Sequence, residues 1–127
     1  MSDQHKLSEI RQIALTVSDV STALPFYRDV LGLSFLFSPS PQLAFLAAGG
    51  VRIMLSTPQG AGTVGHNSIL YFTVKDIVAA HAAIVGRGAR NERAPQLTAK
   101  MPDHELWGAF VRDPDGNLIG LMEEKRG

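Results

Sequence analysis

The sequence predicts an α+β fold of two β-α-β-β-β repeats, whose strands form a cup-shaped mixed β-sheet with the helices outside. Three observations predict it. The pattern Thr-Val-x-Asp-aliphatic occurs twice, as Thr16-Val17-Ser18-Asp19-Val20 and Thr73-Val74-Lys75-Asp76-Ile77. Each copy follows an alternating apolar segment and precedes a helical one. Neither half is long enough to bury a good core alone, so two sheets packed side by side must enclose one and leave a concave face between them.

Residues 1–9 read as a polar tail and 10–127 as one domain, with repeat one at about 10–57, a linker at 58–67 and repeat two at about 68–124. Ile13, Leu15 and Val17 alternate with Gln12, Ala14 and Thr16, which is a strand with one apolar face. Asp19 or Ser21 can cap the helix that follows. Ala23, Phe26, Tyr27, Val30 and Leu31 form its apolar stripe. Pro25 is expected in its first turn, where a missing N–H does no harm, and Gly32 ends it. The strands "LSFLF", "LAFLAA" and "VRIMLS" come next, the last two joined by the Gly49-Gly50 hairpin signal. The Gly-rich "TPQGAGTVGHN" has no periodicity and reads as linker. The second repeat opens with "SILYFTVKDI", then a helix that Gly88 stops, then strands expected at about Asn91–Ala94, Leu106–Arg112 and Leu118–Glu123.

Composition narrows the function. Hydrophobic residues make up 45% of the 127, enough for a packed core, and 12 basic residues balance 12 acidic ones. A balanced surface offers no general field for nucleic acid or an anionic membrane. No apolar run approaches the ~20 residues of a membrane span, and the N-terminus has no signal core. The absence of cysteine excludes disulfides, thiolate metal sites and a cysteine nucleophile. The expectation is a cytoplasmic protein with a small-molecule partner.

"IALTVSDVSTALPFYRDVLGLSFLF", "YFTVKDI" and "FVRDPDGNLIGLMEE" together resemble the vicinal oxygen chelate superfamily, of glyoxalase, bleomycin-resistance and dioxygenase type, over about Ile10 to Glu123. In its metal-dependent members, the resemblance implies, four positions on the first and last strand of each repeat bind a divalent ion in the cup. Those positions are Gln12, Met54, Ile69 and Gly120 here. Only Gln12 carries a donor suited to such an ion, whereas zinc takes about four N, O or S ligands and magnesium or manganese takes hard oxygens. No cofactor is therefore expected, and a divalent metal is disfavoured.

Strand parity puts Gln12, Ala14, Thr16, Arg52, Met54, Ser56, Ile69, Tyr71, Thr73, Leu118, Gly120 and Met122 on the cup wall. This is a mostly apolar surface with a few polar handles. Gln12, Arg52, Met54, Tyr71, Trp107, Gly120 and Met122 are the candidate ligand-binding residues. Arg52 suits an anionic group, Met54 and Met122 adapt to several shapes, and Gly120 leaves room where a carboxylate would stand. His104 is the candidate acid–base residue, placed in a loop by Pro102 and Asp103, and Trp107 offers a stacking surface. Glu105 reads as a solvated charge, His5 as part of the tail, His66 as a linker residue and His81 as a packed helix residue. The run Asp113-Pro114-Asp115-Gly116-Asn117 is turn chemistry, lacking the spaced oxygens of a calcium loop.

The expected function is a metal-independent binder of a small, largely apolar molecule in the β-cup, similar to the bleomycin-resistance branch and homodimeric as those proteins are. One alternative is a glyoxalase-, dioxygenase- or lyase-type enzyme using substitute metal ligands or His104. Another is an interaction or regulatory module with a vestigial cup.

Overall fold

The computed structural model describes Leu7 and residues 9–58, 63–65 and 67–126. The readings of His5 and His66 fall outside those residues. Repeat one contains β1 (Gln12–Thr16), α1 (Val20–Pro25) continued by a π-helical turn (Phe26–Val30), β2 (Ser34–Ser40), β3 (Leu43–Ala48) and β4 (Val51–Ser56). Repeat two contains β5 (Leu70–Thr73), α2 (Ile77–Gly86), β6 (Arg90–Lys100), β7 (Glu105–Arg112) and β8 (Leu118–Lys125).

Two four-stranded mixed sheets result, ordered β1-β4-β3-β2 and β5-β8-β7-β6. In each repeat the helix carries the chain to the far edge, and two hairpins bring it back. The last strand therefore lies parallel to the first, β4 on β1 and β8 on β5, as a crossover followed by a meander requires. Gly49 supplies the φ of 61° that the tight β3–β4 turn needs.

Period two sorts the side chains. Leu15, Ile53, Leu55, Ala44 and Leu46 are buried with Val20, Ala23, Phe26 and Tyr27 of the first helix. Ala109, Val111, Ile119 and Leu121 are buried in the same cluster with Ile77 and Ile84 of α2. The repeats thus share one core, as their size demands. Gln12, Ala14, Thr16, Arg52, Met54 and their counterparts in repeat two lie on the opposite, concave faces.

Pro25 is not in the first turn. Asp19, rather than Ser21, is the cap, its Oδ1 accepting from Ser21 N at 2.9 Å, so Pro25 is the last α-helical residue. It has no N–H to donate to the Ser21 carbonyl. The helix widens directly after it, Leu31 N donating to Phe26 O, five residues back, at 2.9 Å. A second difference is β6, which runs beyond Ala94, through Pro95, to Lys100. It is an edge strand with register shifts on both sides of Arg93, where a proline removes no ladder bond the sheet depends on. β7 starts one residue earlier than expected and β8 continues to Lys125.

Two carboxylates close the N-terminus of α2. Asp76 Oδ1 accepts from Ala79 N at 3.1 Å, and Glu123 Oε1, from β8, accepts from Ile77 N at 2.9 Å. Asp76→Ala removes only the first, so urea denaturation should show a loss of about 1 kcal/mol.

Candidate functional site

Gln12 and Arg52 are direct neighbours across β1 and β4. Arg52 Nε donates to Gln12 Oε1 at 2.6 Å, and Gln12 Nε2 points at Met54 Sδ, 3.9 Å away. The one oxygen donor among the four family metal positions is thus turned onto a guanidinium, whose positive charge opposes a divalent cation at the same atom. Met54 offers a thioether, Ile69 an exposed aliphatic chain and Gly120 nothing. This donor set does not fit the ion that the superfamily's metal-dependent members hold.

The room expected at Gly120 is filled. Tyr71 pairs with Gly120 across β5 and β8, and its ring lies on the glycine: a Cβ there would sit 2.6 Å from Tyr71 Cδ1. Only a residue without a side chain lets the ring approach so closely. Phe110, the neighbour of Gly120 on its other side, meets Tyr71 edge-on with centroids 5.7 Å apart. Met122, beside Thr73, is half-buried on the same face.

On the concave face of repeat one, Phe45 pairs with Met54 and stacks on Phe37, centroids 4.7 Å apart. The Arg52 guanidinium lies 5.0 Å from the Phe45 ring centre. Phe37, Phe45 and Phe110 were absent from the expected wall. Register counted outward from the Gly49-Gly50 turn places Phe45 opposite Met54, and that count is the signal that finds it.

Among the described residues, the cleft between the repeats does not bring the four family positions together. A cleft of about 560 Å³ lies between the repeats. All of 69–73, both faces of β5, line one side, and Ile13, Val51 and Ile53, from the helix side of the first sheet, line the other. Gln12, Arg52, Met54 and Gly120 are not among its lining residues.

His104 immediately precedes β7, in the loop expected for it. Its Nδ1 is 2.7 Å from Asp103 Oδ1 and its Nε2 4.0 Å from Glu124 Oε1. It lines a separate hollow with Lys100, Met101, Glu105, Lys125 and Arg126. Six residue steps along the strand lead from it to Phe110, roughly 20 Å. Asp103 also takes Arg126, and these bonds hold its carboxyl below the usual aspartate range, that from His104 first. Trp107 shares the parity of buried Ala109 and Val111, so it lies on the helix side of β7, packed against the core. Its Nε1 donates to Glu105 Oε1 at 3.1 Å and Lys125 Nζ sits 4.4 Å from its ring. Neither residue joins the concave face. His81 is half-buried on α2, its Nε2 2.7 Å from Asn91 Oδ1.

The turn after β7 joins the repeats. Buried Asp113 accepts from Tyr27 Oη at 2.7 Å, from the Asn117 and Asp115 N–H groups at 2.7 and 2.9 Å, and from Asn117 Nδ2 at 2.8 Å. Asp115 accepts from Ser18 N at 3.0 Å. Asn67 accepts from Thr16 N at 3.0 Å and donates to Thr16 O and to Asn117 Oδ1 at 3.1 and 2.9 Å. The run is turn chemistry, as expected, and also the clamp between halves.

Residues 9–121 match the family described as Glyoxalase/Bleomycin resistance protein/Dioxygenase superfamily. The chain belongs to that superfamily. A virulence protein of Salmonella typhimurium is 28% identical over 96% of this chain and 88% of its own length. The structure of a lactoylglutathione lyase from Agrobacterium tumefaciens matches with TM-score 0.77 at 24% identity, over 92% of this chain and 94% of that one. That of the antibiotic binding protein TnmS3 from a Streptomyces species matches with TM-score 0.76 at 22%, over 96% and 100%. At these identities the two structures share the fold with this chain, and their differing names show how little the fold alone says about chemistry. Among the described residues no helix is long and apolar enough to cross a membrane.

Proposed function

We propose that this superfamily member binds a small, largely apolar molecule on its concave β faces without a metal, as a cytoplasmic homodimer. The observation that carries the reading is the state of two of the family's metal positions. The Gln12 oxygen serves Arg52, and the place of the last ligand is covered by the Tyr71 ring. What remains is a surface of Phe37, Phe45, Met54, Tyr71 and Phe110 with few polar handles, the composition of small-molecule sites.

Exposure supports the dimer. Phe37 is 47%, Ile69 43% and Tyr71 54% exposed, all on the faces turned away from the helices. Pairing repeat one of one protomer with repeat two of its partner covers both faces and makes two closed cups. The acid–base role for His104 has no place in this reading, because the residue lies in another hollow.

Equilibrium sedimentation and thermal denaturation with 1-naphthamide, a flat neutral probe, test it. The expected results are a dimer and a probe-dependent rise in Tm that survives chelator treatment. At a hundred times Kd the stabilisation should reach about 2.7 kcal/mol. A monomer, no rise at millimolar probe, or a rise abolished by chelator overturns it.

A further inference from the structure

Of all residues in the four strands of repeat one, QIALT, SFLFSPS, LAFLAA and VRIMLS, only Arg52 is charged. Among the described residues it makes no ion pair, as Arg87, Arg90 and Arg93 make none, whereas Arg11, Arg28, Arg112 and Arg126 each have a carboxylate within 3.3 Å. Its guanidinium is nevertheless held in place. Nε is fixed by Gln12 Oε1 at 2.6 Å, and the plane rests by Phe45, itself stacked on half-exposed Phe37. A solvated surface arginine needs none of these supports. Pinning Nε leaves the two terminal NH₂ groups, the fork that matches a carboxylate, beside an aromatic surface.

We propose that Arg52 recognises the anionic group of an aromatic carboxylate whose ring lies along Phe37 and Phe45. The inference rests on the concave-face reading above and adds the ligand's charge and shape to it. Gln12 is then a positioning residue: it aims the fork and leaves ligand contact to Arg52. A sheet face carrying one oriented cation, without an ion pair among the described residues, is complementary to a flat molecule with one negative charge, and neutral analogues lose that contact.

The test compares 1-naphthoate with 1-naphthamide by isothermal titration on the full-length protein, with acetate as a ring-free competitor. The wild type should bind naphthoate about tenfold or more tightly than naphthamide, the ratio expected of a charge-assisted hydrogen bond. In Arg52→Met the ratio should fall to about one, in Arg52→Lys it should be intermediate, and in Gln12→Ala it should drop without vanishing. Circular dichroism confirms folding of each variant. Equal binding of the two probes by the wild type, or a ratio unchanged in Arg52→Met, overturns the anion site and leaves the concave-face reading standing. Displacement of naphthoate by equimolar acetate overturns the aromatic part. Binding of neither probe overturns both readings.

Discussion

Asp113→Ala should destabilise the protein by about 3–5 kcal/mol in urea denaturation, among the largest single-residue effects available to it. The carboxylate is 1% exposed and accepts four hydrogen bonds from three residues. Alanine leaves the Tyr27 hydroxyl and the Asn117 amide buried with no acceptor, and each orphaned group costs about 1–3 kcal/mol. The loss is also one of connectivity, since Tyr27 belongs to repeat one and Asp113 to repeat two. Tyr27→Phe removes a single bond and leaves Asp113 its other three, so its cost should be nearer 1–3 kcal/mol. A loss below about 1 kcal/mol in Asp113→Ala would mean that the shared core alone holds the halves together.

The same contact predicts an alkaline limit. Burial first, then the charge of Asp113, pushes the Tyr27 phenol far above its ordinary value. In the unfolded chain it ionises near pH 10. Above that pH the native state holds a proton the unfolded state has released, so the slope of stability with pH is negative. The contribution is fully present below about pH 10 and declines above it by up to about 1.4 kcal/mol per pH unit. Tyr27→Phe should flatten that decline, which separates ionisation from the loss of the hydrogen bond.

The fold was legible because two periodicities and two caps repeat. Thr-Val-x-Asp marks a strand end and a helix cap in both halves, and Asp19 and Asp76 cap the helices. Pro25 misled because the choice between Asp19 and Ser21 as cap decides whether it lies in the first turn or the last. Period two correctly placed Gln12, Arg52, Met54, Tyr71 and Gly120 on the concave faces. It applies to Trp107 as well, whose parity matches buried Ala109 and Val111, yet a lone tryptophan invites a binding role. What period two cannot give is how the faces are disposed around each other. That depends on Asn67, Asp113 and Asp115 bonding across the repeats, and the Tyr27–Asp113 pair spans 86 residues of sequence.

Gly120→Ala should change binding more than it changes stability. A Cβ at 120 would stand 2.6 and 2.8 Å from two Tyr71 ring carbons, distances no packed pair sustains, so the ring must leave β8. It can, because it is 54% exposed, and the cost is its packing on the strand and its edge contact with Phe110, about 1 kcal/mol. The displaced ring then swings into the concave space, and 1-naphthamide affinity should fall about tenfold. A double-mutant cycle decides whether Tyr71 is the cause: in a Tyr71→Ala background Gly120→Ala should be nearly neutral for stability, and equal costs in both backgrounds would locate the strain elsewhere. Gly120→Glu extends the argument to metals. It restores the family's missing carboxylate, yet the protein should still hold less than about a tenth of an ion per chain after loading and desalting. Met54 and Ile69 remain silent and the Gln12 oxygen still faces the Arg52 guanidinium, so the new carboxylate meets no second donor suited to the ion.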